Sequence, residues 1–272
     1  MFSTKFTGGD RSMVSQKRFM QLTISVLIAL PLITPQSVLA QGRRVRYIPP
    51  SNLDAPKVSV PGATRSACDA PSNCLIALLP NLKVQDAPLP QTLAERPTIY
   101  FLVPKTNGNA YFSLDEDNGT AIQRKRIYKT KFKISNDAGL IAFRLPDDAP
   151  KLELNKKYSW QFSVPIGYGS QSVYGSLQRV ALDSKVTAKL ATMSHPLDRA
   201  ALLAAEGIWF EAVQTLAEAQ VALPQNAEVL SEWQELLKAA NLDRVLPFTF
   251  VSQIRETPPK NSPLPTNKLD AY

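Results

Sequence analysis

The chain has a single histidine, His195, so any acid–base catalysis by histidine would depend on this residue. It lies in the sequence Ser194-His195-Pro196, next to a serine. A serine hydrolase needs a nucleophile, a base that activates it and an acid that orients the base. The chain contains no Gly-x-Ser-x-Gly motif, which would present a nucleophilic serine on a sharp turn. We therefore interpret His195 as a linker residue and predict a non-enzymatic protein without a catalytic residue.

The acidic residues show no spacing that defines a catalytic or metal-binding pair. Asp115 and Asp117 are two residues apart in Asp115-Glu-Asp117-Asn-Gly119, as in calcium loops, but such loops need further ligands. The Asn-Gly pair favours a hairpin turn instead. A glycoside hydrolase needs two carboxylates facing one cleft, and nothing in the sequence pairs them. A hydrolase with dispersed carboxylates is thus the least favoured alternative, and no metal or cofactor is predicted.

Aromatic and cationic side chains in strand-like runs are the best candidates for recognition. Tyrosines exposed on a sheet would form a platform for carbohydrate, although core packing and cross-strand pairing explain them nearly as well. For the arginines, the alternative is a structural role at a sheet edge or in an ion pair with Glu95. The predicted recognition patch comprises Arg96, Tyr100, Tyr111, Tyr168, Tyr174 and Arg179.

The N-terminus has the pattern of a secretory signal peptide. Lys17 and Arg18 precede an apolar run over residues 22–33, and Val38-Leu39-Ala40 precedes Gln41. The run is shorter than the roughly 20 apolar residues that a membrane span needs. We predict cleavage after residue 40, a secreted or periplasmic location and no membrane span in the mature chain. An uncleaved anchor is the alternative.

Charge and cysteine content agree with export. Removing residues 1–40 lowers the formal net charge from +8 to +5, and no nucleic-acid-binding module is recognisable, so a nucleic-acid partner is not expected. Five residues separate Cys68 from Cys74. An even cysteine count in an oxidising compartment favours a disulfide between them. A metal pair is disfavoured because no second Cys/His pair has ligand spacing.

The central part of the chain reads as short β-strands. Tyr158, Trp160, Phe162 and Val164 occupy alternate positions after a polar turn, which predicts a half-buried strand. A tyrosine entering a strand after such a turn is typical of the tyrosine corner of sandwich domains. Seven strands are predicted, over residues 75–79, 98–103, 110–114, 120–128, 139–145, 158–164 and 172–182. Their number and spacing favour an antiparallel β-sandwich of immunoglobulin or fibronectin type III topology, with a small barrel as the alternative.

The apolar spacing changes to a helical period after residue 196. Leu197 begins one apolar stripe, Trp209 and Leu216 belong to a second, and Asn226 is predicted to cap a third helix. Three short helices bury little surface alone, so we expect them to pack on the sandwich as one cooperative unit.

Two resemblances to known families accompany these patterns. Gly207-Ile-Trp-Phe-Glu-Ala212 and its continuation to Pro224-Gln-Asn226 resemble a tetratricopeptide repeat, although only about one and a half units are present. Blocks in order along the chain, such as Arg96-Pro-Thr-Ile-Tyr-Phe-Leu-Val103 and Leu154-Asn-Lys-Lys-Tyr-Ser-Trp160, resemble an exported cyanobacterial family known as domain of unknown function 928. That resemblance implies export and a β-then-helix organisation, and it implies no activity.

These expectations define a domain plan and a function. We predict a signal peptide at 1–40, a disordered linker at 41–66, a β-sandwich at 67–185, a tetratricopeptide-like unit at 193–243 and an extended, disordered tail at 244–272. The favoured function is an exported interaction module of the envelope or the extracellular space, with an unidentified protein as partner. The alternative is a carbohydrate-binding module with an envelope polysaccharide as ligand.

Overall fold

The computed structural model describes residues 45–50, 70–81, 88–117 and 124–254 of the 272-residue chain. They belong to one compact unit, residues 40–272. The described strands are β1 (Ile76–Ala77), β2 (Gln91–Thr92), β3 (Thr98–Val103), β4 (Thr106–Glu116), β5 (Lys125–Asn136), β6 (Gly139–Arg144), β7 (Lys157–Ile166), β8 (Gly169–Arg179) and β9 (Phe250–Ile254). The described helices are α1 (Ser184–Thr192), α2 (Pro196–Ala205), α3 (Trp209–Ala222) and α4 (Ala227–Ala239).

The strands form two sheets that pack against each other. One has four strands in the order β1-β3-β6-β9, and the other has five in the order β2-β8-β7-β4-β5. The edge pairs β2–β8 and β6–β9 are parallel, and the other pairs are antiparallel. Between the sheets, the ring of Phe101 on β3 lies 4.3 Å from that of Phe162 and 5.5 Å from that of Trp160, both on β7. The expected sandwich-like arrangement of two sheets followed by helices is therefore confirmed. The expectation of purely antiparallel sheets is wrong, because β2 and β9 each join a sheet edge as a parallel strand.

A tyrosine fixes the turn that leads into β7. The hydroxyl oxygen of Tyr158 accepts a hydrogen bond from the backbone N–H of Glu153 at 2.9 Å. Between them, Asn155 has a φ of 62°, which is a left-handed conformation that asparagine tolerates. The side chain of Tyr158 is buried, so β7 starts with its apolar positions directed to the core. This is the geometry expected from the sequence.

The helices form a third layer on the outer side of the four-stranded sheet. The ring of Phe250 on β9 lies 5.9 Å from Tyr100 on β3 and 5.7 Å from Trp233 on α4. All six residues of β3 are buried, because this strand has a sheet on one face and helices on the other. Asn226 caps α4 as predicted, since its Oδ1 accepts the N–H of Val229 at 3.0 Å.

A buried carboxylate attaches α3 to the edge of the five-stranded sheet. Oε1 of Glu211 accepts hydrogen bonds from the Thr92 hydroxyl at 2.6 Å and from the N–H groups of Leu93 and Ala94, both at 3.0 Å. Burial raises the pKa of Glu211, and these hydrogen bonds oppose the rise because they stabilise the charged form. The helical layer is thus bound to both sheets.

Several segments differ from the sequence-based expectations. The predicted strand over 120–128 ends before Lys129, whereas β5 continues to Asn136. Residues 45–50 lie in the predicted linker, yet the N–H of Val45 donates to Oε2 of Glu232 at 2.6 Å and Tyr47 packs edge-on against Trp209. Residues 184–192, expected as a connection, form helix α1. Residues 250–254 lie in the tail that was predicted as extended and disordered. They form strand β9 beside β6, which agrees with the extended conformation but not with disorder. These expectations failed because the ordering contacts come from residues distant in sequence.

Candidate ligand-binding face

Polar and apolar side chains alternate along the strands of the five-stranded sheet, and the polar ones lie together on one face. In β7, Tyr158, Trp160 and Phe162 point to the core, and the residues between them point away from it. We call the surface formed by these outward-pointing residues the open face. It is formed by Asn109, Tyr111, Ser113 and Asp115 on β4, Arg126, Lys129, Lys131 and Lys133 on β5, Ser159, Gln161 and Ser163 on β7, and Ser170, Ser172, Tyr174 and Ser176 on β8.

Strand register brings amide and hydroxyl groups together at the centre of the open face. Gln161 lies opposite Ser113 on one side and Tyr174 on the other, while Ser163 lies between Tyr111 and Ser172. The hydroxyls of Ser163 and Ser172 are 2.7 Å apart, and the Gln161 amide donates to the Ser163 hydroxyl at 3.3 Å. These groups form a hydrogen-bonding floor.

The floor lies within a shallow groove of about 590 Å³. Tyr111 borders it, and Tyr174 stands beside it on β8. Both tyrosines are substantially exposed, at 42% and 49%. They are on strands separated by β7, so their backbones are about 10 Å apart across the sheet. The groove is lined by Asn109, Tyr111, Phe112, Ser113, Arg126, Lys129, Gln161, Ser163, Val164, Pro165, Gly169, Ser170 and Ser172.

Strand β5 makes one side of the open face strongly basic. Lys129, Lys131 and Lys133 occupy alternate positions and are exposed. Nζ of Lys131 lies 5.8 Å from the centroid of the Tyr111 ring, within the range of a cation–π contact. Arg126 forms an ion pair with Asp115. The lysines therefore supply the excess positive charge of this face.

The four tyrosines of the predicted recognition patch occupy three separate places. Tyr111 and Tyr174 share the open face, and Tyr168 is fully exposed in the turn between β7 and β8. Tyr100 is buried under the helices, and burial raises its pKa. The predicted patch is therefore not a single surface.

The two arginines of the predicted patch hold loops in place. Arg96 donates from Nη2 to the carbonyls of Asp147 and Ala149 at 2.8 and 3.0 Å. Arg179 donates from Nη1 to the carbonyl of Leu152 at 2.6 Å, and its Nη2 lies 3.7 Å from Glu95. The geometry favours a structural role for both arginines, because these carbonyls occupy their guanidinium donors.

The remaining candidates from the sequence give no second site. Nδ1 of His195 accepts the N–H of Leu197 at 3.3 Å, so the histidine caps α2. Cys74 is buried, but Cys68 lies outside the described residues and the disulfide stays a prediction. Among the described residues, no group of three or more His, Cys, Asp or Glu could hold a metal ion. No helix in the same part of the chain is long and apolar enough to cross a membrane.

Sequence reasoning missed Gln161, Ser163, Ser172 and the three lysines of β5. The relevant signal was present in the alternation of Lys129-Thr-Lys-Phe-Lys133 and of Ser159-Trp-Gln-Phe-Ser163. Alternation shows that a strand has two unlike faces, but it does not show that the polar faces of three strands are adjacent.

The fold and the open face define a protein of two packed sheets with a helical layer on one side and a polar, basic surface on the other. The chain belongs to the family described as Domain of Unknown Function (DUF928), whose model matches residues 60–248. A comparison with curated proteins finds no match.

Proposed function

We propose that this protein is exported, acts without catalysis and binds an extended polysaccharide of the cell envelope on its open face. The observation that carries the proposal is the position of two exposed tyrosines, Tyr111 and Tyr174, on either side of a floor of amide and hydroxyl groups. This arrangement combines apolar rings with hydrogen-bonding groups on one surface, as the recognition of sugar rings and their hydroxyls requires.

The shape of the groove favours a polymer over a small molecule. Small-molecule sites enclose most of the ligand surface, whereas this groove lies on the surface of a sheet. Gln161, Ser163 and Ser172 present donors and acceptors along that surface. A chain of sugar rings can use such contacts repeatedly, because each ring has hydroxyl groups and an apolar face.

The hydrolase alternative has weaker support on this face. Asp115 is the single acid among the residues that define the open face, and its carboxylate is engaged by Arg126. Hydrolysis of a glycoside by the usual mechanism needs two carboxylates on opposite sides of the scissile bond. Binding without cleavage is therefore the function that we propose.

Affinity electrophoresis and calorimetry with purified envelope polysaccharides test the proposal. Tyr111→Ala and Tyr174→Ala should each weaken binding about fivefold to tenfold, as loss of an aromatic contact at an interface does. Tyr168→Ala is the matched control, because this exposed tyrosine lies in the turn between β7 and β8 and not on the open face. Unchanged affinity of both tyrosine variants, or the absence of polysaccharide binding, would contradict the proposal.

Export is tested separately by the intact mass of the protein recovered outside the cytoplasm. The expected mature chain begins near Gln41 and contains one Cys68–Cys74 disulfide, so alkylation without reduction leaves its mass unchanged. Recovery of the chain with residues 1–40 attached, or with two alkylated cysteines, would contradict this part of the proposal.

We also propose a finer description of the fold. For the sandwich we propose an immunoglobulin or fibronectin type III topology. Its support is the order β8-β7-β4-β5 within the five-stranded sheet, the order β1-β3-β6 within the four-stranded sheet, and the hydrogen bond of Tyr158 at the start of β7. For α3 and α4 we propose a tetratricopeptide-like hairpin with a structural role. The support is its packing, since Trp209 and Trp233 are both buried within the protein.

A further inference from the structure

The lysines of β5 form a regular row at the side of the proposed polysaccharide groove. Lys129, Lys131 and Lys133 lie opposite Ser113, Tyr111 and Asn109 of β4, respectively. Alternate residues of a strand are about 7 Å apart, so the row spans about 14 Å along β5. Within the described part of the chain, none of these lysines forms an ion pair.

Protection of a sheet edge is the simplest alternative explanation of the row. Strand β5 is the last strand of its sheet, and lysines on edge strands discourage pairing with other chains. That role needs charge at the edge but no particular neighbours. Here Lys129 lines the groove and Lys131 lies over the ring of Tyr111, which is exposed to a ligand. The row is thus continuous with the aromatic and hydroxyl surface.

From this charge complementarity we infer that the ligand is an acidic polysaccharide, with carboxylates on its sugar rings. The inference rests on the proposed function. Lys131 has its Nζ 5.8 Å from the centre of the Tyr111 ring, so an acidic sugar bound at Tyr111 would lie within reach of this lysine. Lys129 and Lys133, opposite Ser113 and Asn109, would meet other carboxylates of the same polymer. A single exposed ion pair contributes little to affinity, but three in register act together on one polymer.

The test compares polygalacturonate with its fully methyl-esterified form, which keeps the sugar rings and linkages and removes the negative charge. We expect the wild-type protein to bind polygalacturonate at least about tenfold more tightly than the ester. Raising the salt concentration from 0.05 M to about 0.5 M should weaken binding of the acid and leave binding of the ester unchanged, because salt screens exposed charges.

The variant Lys129→Gln/Lys131→Gln/Lys133→Gln should lose this preference, with about tenfold weaker binding to polygalacturonate and unchanged binding to the ester. The matched control is Lys185→Gln/Lys189→Gln/Lys238→Gln, which removes the same charge from exposed positions on α1 and α4. Circular dichroism and the thermal midpoint of both variants should equal those of the wild type, because the substituted side chains are exposed.

The outcomes separate this inference from the proposed function. Equal binding of acid and ester, with loss of both in Tyr111→Ala, would overturn the acidic ligand and leave a polysaccharide-binding face. Equal losses in the two triple variants would also overturn it, since only net charge would matter. Binding to phosphatidylglycerol vesicles or single-stranded DNA as tight as that to polygalacturonate would overturn it in favour of unselective polyanion binding. Binding to neither form of the polymer would overturn the inference, and failure of the whole envelope panel would overturn the proposed function as well.

Discussion

The indole N–H of Trp209 donates a hydrogen bond to the carbonyl oxygen of Leu78 at 2.8 Å. Trp209 begins α3, and Leu78 directly follows β1, so the bond joins the helical layer to the four-stranded sheet across 131 residues of sequence. Both residues are buried, which removes water as an alternative partner. This contact couples the stability of the helical layer to that of the four-stranded sheet.

Replacement of Trp209 by phenylalanine should destabilise the protein by about 1–3 kcal/mol. The variant leaves the Leu78 carbonyl without its donor in a buried site, and the smaller ring packs less well. The midpoint of guanidinium unfolding measures the effect. Val221→Ala, at an exposed position of the same helix, serves as control and should change stability by less than about 0.5 kcal/mol. An unchanged midpoint for Trp209→Phe would show that the bond does not stabilise the fold.

The sandwich and the helical layer should not fold independently. Expression of residues 67–185 and 193–252 as separate fragments would expose the apolar contacts of Tyr100, Trp209 and Trp233, which are buried in the whole chain. We expect little cooperative melting of either fragment by circular dichroism, against one cooperative transition of residues 41–272. A helical fragment that is monomeric and melts cooperatively would refute this prediction and favour a free partner-binding module.

Gly175 should be intolerant of a methyl group, because a Cβ at this position would overlap the indole ring of Trp160. Gly175→Ala is expected to cost about 1–3 kcal/mol, as overpacking of a core does. Gly169→Ala is the control, since a Cβ there has its nearest neighbour at 3.9 Å. In combination with Trp160→Phe, which makes room, the cost of Gly175→Ala should fall. Strictly additive costs in this double-mutant cycle would argue against the contact.

Stability should decrease as the pH rises above about 10. Burial raises the pKa of Tyr47 and Tyr100 above the ordinary value of 10.0, and the nearby Glu218 carboxylate adds to the effect on Tyr100. In the unfolded chain these hydroxyls ionise near pH 10, whereas in the folded protein they stay protonated. Unfolding therefore releases protons, and the stabilisation present below pH 10 is lost as the pH rises.

The expected slope for this alkaline effect is about 1.4 kcal/mol per pH unit for each buried tyrosine. Denaturant titrations between pH 8 and 11 measure it. Tyr100→Phe should reduce the slope by the contribution of one proton. Equal slopes for the variant and the wild type would mean that the pKa of Tyr100 is the same in the folded and the unfolded protein.

Local sequence patterns predicted β7, which has one polar and one apolar face, but missed the similar alternation of β5 after Tyr128. Tyr158, Trp160 and Phe162 alternate with polar residues because β7 has the core on one side and the open face on the other. The continuous apolar run from Ile99 to Val103 has another cause, which is burial of β3 on both faces. Alternation of large side chains did not distinguish these cases. Tyr100 and Tyr111 therefore looked equivalent in the sequence, although one is buried and the other is exposed.

By itself, the sequence determined most of the strands, the helices α2 to α4, the turn before Tyr158 and the change from β to helical periodicity, because these depend on neighbours a few residues away. The tertiary structure alone decided which faces are covered. It placed the helices on the four-stranded sheet and packed residues 45–50 and 250–254 against the rest of the protein. It also left one face of the five-stranded sheet uncovered, with Tyr111 beside Lys131. These outcomes depend on the pairing of strands and the stacking of layers, which are set by contacts between residues far apart in the chain.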